Sequence, residues 1–238
     1  MRRLPGSRII TRSRGSPARR AHWRDHAPDQ SSQHSPTRDT HMGLINRAKN
    51  LIMQPRQEWS VIDTEPATVG GLYTGYVIPL SLARIIAFVI GAALFGGSVA
   101  FVARVGYPIG WLIRFACGTF ITDLVAVYVF ALIIDALAPT FGGTKGSMQA
   151  LKVSAYSLTA VWVFGILAII PVIGWIGGLI GLIYSIYLLY LGLPILMKTP
   201  ADKAAGYTVV AIIAGIVLFL VIGWVLAMFG LGGIAAMR

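Results

Sequence analysis

The chain has 238 residues, 56% of them hydrophobic and 12% charged, with a formal net charge of +11; soluble domains carry about 25% charged residues, so an ordinary water-soluble enzyme is disfavoured. The charge is uneven: residues 1–41 hold nine Arg and three Asp, net +6, whereas residues 42–238 hold 11 Lys and Arg against six acids, net +5. The apolar body has no continuous basic face to track phosphates, so a nucleic-acid partner is excluded.

Residues 1–41 are rich in Arg, Ser and Pro and nearly free of large aliphatic side chains. Such a tail cannot bury enough surface to offset its ordering entropy and is expected to be disordered. It has no apolar core of about seven to fifteen residues for a secretory signal, and Ser7-Arg-Ile-Ile-Thr-Arg12 is too short an amphipathic stretch for an organelle transit peptide. The favoured expectation is that Met42 is the true start and the tail is translated upstream sequence, because patterned sequence begins right after it. All four histidines (His22, His26, His34, His41) lie in this tail at irregular spacings and read as solvated side chains rather than metal ligands.

Residues 42–75 form a juxtamembrane amphipathic segment. Leu44, Ile45, Ala48, Leu51 and Ile52 follow one helical face, Asn46, Arg47, Lys49 and Asn50 occupy the other, and Pro55 follows. This pattern predicts a short helix at the membrane–water interface with Trp59 as a nearby anchor; packing on another protein segment is the alternative.

Residues 76–238 form the membrane domain. A bilayer core about 30 Å thick needs roughly 20 apolar helical residues. Five segments meet that requirement, at about residues 76–95, 111–137, 150–170, 173–197 and 207–229, and alternating barrel strands are absent. The fold class is therefore an all-α integral membrane protein of five spans. With the N-terminus inside, the inner flanks carry Arg47, Lys49, Arg56, Lys145, Lys152, Lys198 and Lys203, the outer ones Arg104, Arg114 and Arg238. That bias predicts N-in, C-out, with Trp111 and Trp175 at the outer interface and Trp59, Tyr73 and Tyr207 at the inner one. The odd number of spans argues against a pair of inverted transporter repeats.

Charges inside a span are costly, which makes Arg84, Asp123, Asp135 and Lys152 the candidate intramembrane polar sites. Arg84 and Asp123 come to similar depths on antiparallel neighbours and are expected to pair. Asp135 and Lys152 flank the second inner connection and also match in depth. These are structural pairs or, in the alternative, parts of a proton or solute pathway. Gly174, Gly177, Gly178 and Gly181 give two overlapping small-xxx-small spacings, which predict close helix packing within the chain or between copies. Pro79 and Pro194 are expected kinks.

Catalytic constellations are missing. The single cysteine, Cys117, excludes an intrachain disulfide and any thiolate metal cluster. The body has no histidine, no carboxylate pair at helical spacing, and no nucleophile beside a base. The loop Phe141-Gly-Gly-Thr-Lys-Gly-Ser147 lacks the P-loop spacing and a preceding strand. No enzyme, cofactor or metal is expected.

Three segments carry a resemblance. The stretch Ile183–Tyr207, containing Tyr190-Leu-Gly-Leu-Pro-Ile-Leu-Met197, resembles the fourth helix and following inner loop of the Yip domain family, integral membrane proteins named for eukaryotic members that interact with Ypt/Rab GTPases. Pro55-Arg-Gln-Glu-Trp59 and Phe141-Gly-Gly143 are similar to its bacterial branch, and the likeness covers about residues 43–230. The resemblance implies a five-helix architecture in a bacterial inner membrane. The Asp-Leu-Tyr-Gly-Pro signature of eukaryotic members is absent, so Rab binding is not supported. The function expected is non-enzymatic: helix-mediated association with an unidentified membrane protein or a second copy, or organisation of the lipid bilayer. The alternative is a small transporter or channel using the intramembrane charges.

Overall fold

In the computed structural model, residues 39–95, 97–99, 103–105 and 108–229 are described. The expectation of disorder for the tail lies outside the described residues up to position 38, whereas Asp39–His41 form the start of a helix. Two helices, α1 (Asp39–Met53) and α2 (Pro55–Thr64), precede five spans. The chain is an integral membrane protein.

The first span, Val69–Phe95, is a composite of α3 (Val69–Leu72), a π-helical stretch (Tyr73–Val77) and α4 (Ile78–Phe95). It begins seven residues before the sequence expectation. The wider π turn precedes Pro79, which has no N–H to donate, and Ile78 N–H bonds five residues back to the Tyr73 carbonyl. A two-stranded antiparallel ribbon, β1 (Gly97–Val99) and β2 (Ala103–Val105), caps the far end of this span.

The second span, Ile109–Phe141, is α5 (Ile109–Leu137) closed by a 3₁₀ turn over Ala138–Phe141. The third, Ser147–Ile169, is broken: α6 (Ser147–Ser157), α7 (Thr159–Gly165) and a 3₁₀ turn over Ile166–Ile169. Backbone groups freed inside a bilayer must find partners within the protein. Here Ser157 Oγ donates to the Ser154 carbonyl (3.1 Å), Thr159 Oγ1 to the Tyr156 carbonyl (2.7 Å), and the Val161 N–H to Ser185 Oγ (3.3 Å). The fourth and fifth spans are single helices, α8 (Pro171–Leu196) and α9 (Ala201–Met228). Pro194 sits in the last turn of α8, where its missing N–H leaves the Tyr190 carbonyl without its intrahelical donor.

The core gathers where α1 and α2 meet the spans, around Trp59, Ile62, Val153, Leu188, Leu193 and Tyr207. Three expectations about the interface are corrected there. First, α1 packs Ala48 and Leu51 on its own chain, leaving Ile45 69% exposed, so the helix docks on protein as well as facing outward. Second, Trp59 is wholly buried and is no interfacial anchor. Third, Tyr207 is wholly buried and donates to the Ile134 carbonyl. At the other end Trp111 is buried in a stack on Phe115, centroids 5.2 Å apart, whereas Trp175 is 79% exposed.

Candidate functional site

Two polar clusters stand out in an otherwise apolar bundle. In the first, α4 and α5 bring Ser81, Arg84 and Asp123 together. Arg84 Nη2 donates to Asp123 Oδ2 at 2.8 Å, and Ser81 Oγ donates to the same oxygen at 2.5 Å. The Arg84 stem runs across Gly165 of α7, where a Cβ would lie 2.5 Å from Arg84 Cδ. A Cβ at this position would force the Arg84 stem aside. Arg84 Nε is buried without a partner. A cavity of about 210 Å³ adjoins the pair, walled by Thr119, Thr122, Trp162 and Phe219.

The second cluster lies at the α1–α2 end. Arg47 of α1 donates from Nη1 to Glu58 of α2 at 2.7 Å and from Nη2 to both carboxylate oxygens of Glu65, the nearer contact being to Oε2. Asn50 Nδ2 also donates to Glu58, at 3.0 Å. Burial works against the guanidinium's charge, but the Glu65 hydrogen bond and the nearby Tyr156, Glu65 and Glu58 outweigh it and raise the Arg47 pKa. The guanidinium also lies 5.9 Å from the centroid of the Tyr156 ring.

Asp135 and Lys152, matched in depth by the sequence, do not pair. Asp135 Oδ1 accepts the Gly146 N–H at 2.7 Å, satisfying a backbone donor at the start of α6. Lys152 Nζ instead donates to the carbonyls of Ile62 (2.8 Å) and Glu65 (2.6 Å), fastening the end of α2 and the residue after it to the third span. Depth alone ignores which way a helix face points, and Lys152 points at that segment.

The glycines of α8 divide. A Cβ on Gly174 would lie 2.6 Å from Ala168 Cα, one on Gly177 2.7 Å from the Phe164 carbonyl oxygen, and one on Gly181 2.8 Å from the Ala160 carbonyl oxygen. These three form an internal seam against the third span. Gly178 meets nothing within 4 Å and faces outward, so the Gly174/Gly178 spacing does not act as a unit.

Sequence reasoning missed Arg47, Glu58 and Glu65 as a cluster, and it missed how the three similar segments converge. Trp59 packs on Gly192, where a Cβ would lie 2.8 Å from the indole Cζ2. Phe141 stacks on Tyr207 with centroids 4.9 Å apart. Gly142 takes φ +71°, and a Cβ on Gly143 would lie 2.8 Å from the Met197 carbonyl oxygen. Thus Pro55–Trp59, Phe141–Gly143 and Tyr190–Met197 build the same end of the bundle. Their co-occurrence was the available signal.

Comparison with known families matches the Yip1 domain over residues 49–234. No curated protein and no solved structure matches the chain. Among the described residues there is no group of three or more His, Cys, Asp or Glu placed to hold a metal ion.

Proposed function

The chain belongs to the Yip1 domain family, and we propose that it acts without catalysis, by lateral association with other proteins in the bilayer through its fifth span. The observation that carries this reading is the uneven packing of α9. Its buried residues, Ala204, Tyr207, Thr208 and Ala211, all fall in the first three turns. Beyond them Val217, Leu220, Val221 and Trp224 are exposed, and an apolar crevice of about 380 Å³ opens between α9 and α5, α7 and α8. Burial from water cannot drive association between helices in lipid; packing does. The outer turns of α9 contribute little packing to their own chain and leave an unused helix surface. The internal seam of α8, by contrast, is already consumed. Lys and Arg at the α1–α2 end support a cytoplasmic location for that end, and the likeness of Pro55–Trp59 and Phe141–Gly143 to bacterial members supports a bacterial inner membrane.

Purification from native membranes in mild detergent tests the reading. A homo-oligomer or a stoichiometric membrane partner is expected; a monomer with no enriched partner would overturn it. A second reading, a small transporter, is favoured by the Arg84–Asp123 pair beside its cavity. Solute or proton flux in reconstituted vesicles that disappears in Asp123→Asn would establish it, and flux equal to empty vesicles would remove it.

A further inference from the structure

Lys152 is only 3% exposed, yet among the described residues no carboxylate lies within ion-pair distance of it. Its ammonium carries three N–H donors, and two are taken by the Ile62 and Glu65 carbonyls. An ammonium buried with no carboxylate in contact is costly, Asp63 and Glu65 favouring its charge only from beyond ion-pair distance, so the remaining donor marks a place for an acceptor from outside the chain. That donor belongs to the wall of a cavity of about 500 Å³, bounded by α1, the α2–α3 connection, the π-helical stretch and α6.

Three further groups line the same cavity. The Tyr156 hydroxyl has no hydrogen-bond partner among the described residues, and its ring is fixed by Tyr76 at 4.7 Å and Trp59 at 6.3 Å between centroids. Arg47 is committed to Glu58 and Glu65, so its charge is already balanced. The Glu65 side chain is 42% exposed, leaving its carboxylate able to meet a second cation. Gly43 and Gly75 leave open space where a side chain would otherwise intrude.

The cavity's depth selects the ligand. The first span has 27 residues, about 40 Å at helical rise, so its ends extend beyond a hydrocarbon core about 30 Å thick. Lys152 lies five residues beyond the start of the third span at Ser147, about 8 Å along the helix. The cavity therefore runs from Glu65 and Thr68, ahead of the first span, to Lys152 about 8 Å inside the third, across the boundary between headgroups and hydrocarbon. We propose that the cavity binds a phospholipid headgroup bearing a phosphate and a primary ammonium, with the phosphate oxygens accepting from Lys152 Nζ and the Tyr156 hydroxyl and the ammonium donating to Glu65. The combination of one cation in contact with no carboxylate and one accessible carboxylate, in a cluster where Arg47 and Lys152 face Glu58 and Glu65, matches a zwitterion better than a net anion.

Native mass spectrometry of the full chain, released from vesicles of equal phosphatidylethanolamine, phosphatidylglycerol and phosphatidylcholine, tests this. The expected result is a single phosphatidylethanolamine adduct, about tenfold weaker in Lys152→Gln, where a charge-assisted bond becomes a neutral one. Tyr156→Phe, which keeps the ring contacts, should weaken it as well, and Glu65→Gln should abolish the headgroup preference. Should Lys152→Gln fail to fold, the other two variants decide the matter. Equal retention of all three lipids by the wild type, retention unaffected by Lys152→Gln or by Tyr156→Phe, or displacement by millimolar inorganic phosphate would overturn the proposal.

Discussion

Replacing Gly181 with alanine, and Gly178 with alanine in a parallel variant, separates an internal helix seam from a mere abundance of glycine. The Gly181 Cβ would stand 2.8 Å from the Ala160 carbonyl oxygen and 3.1 Å from Val161 Cα, both backbone atoms that cannot rotate aside. The third span must therefore shift away from α8, and the Ser185 bond to the Val161 N–H, already 3.3 Å, must lengthen. Overpacking costs about 1–3 kcal/mol, against a helix-propensity gain of up to about 1 kcal/mol for Gly→Ala. The net expectation for Gly181→Ala is a loss of about 1–2 kcal/mol. Gly178 meets nothing within 4 Å, so Gly178→Ala should be neutral or stabilising. Reversible unfolding in mixed micelles, followed by tryptophan fluorescence, measures both. Equal destabilisation by the two variants, or a neutral Gly181→Ala, would refute the reasoning.

The ion pair admits a double-mutant cycle: Asp123→Leu alone should cost about 2 kcal/mol, because it strands Arg84, and adding Arg84→Met should recover about half. Strict additivity in the same unfolding assay would show that the contact carries no coupling. Trp59→Ala should free α2 from the bundle, with a local loss of about 3–5 kcal/mol for the emptied site. It should show as faster tryptic cleavage after Arg56 in membranes, and an unchanged rate would contradict the docking. Cys117 is exposed on α5, eight residues from its start at Ile109 or about 12 Å along the helix. A water-soluble maleimide should therefore label it only after denaturation in detergent; rapid labelling in intact membranes would argue against the second span.

Each span was legible because an apolar run of sufficient length has few alternatives to a membrane helix. Boundaries were less so: residues 69–75, glycine-rich and assigned to the juxtamembrane segment by the sequence, continue the first span through its π-helical stretch. The Arg84–Asp123 contact followed from depth on antiparallel neighbours, since only those helices carry charges at that level. The same reasoning failed for Asp135 and Lys152, whose nearest unsatisfied groups belong to the backbone of adjoining connections. Among the glycines, a seam that follows about 100° per residue selects Gly174, Gly177 and Gly181 and leaves Gly178 outside it. The burial of Trp59 was hidden because it depends on Gly192, a residue far along the chain that shows nothing of its neighbour locally. Motifs that seemed weak one by one, Glu58-Trp59 and Phe141-Gly142-Gly143, proved to be parts of one assembled end.

Lateral association through the fifth span is the central claim, and a photoreactive residue walked along α9 tests it most directly. Placed in native membranes one position at a time from Val209 to Met228, it should yield discrete protein adducts with helical periodicity in the outer turns, strongest at Val217, Leu220, Val221 and Trp224. Lipid adducts alone at every position, with no protein band, would contradict the account.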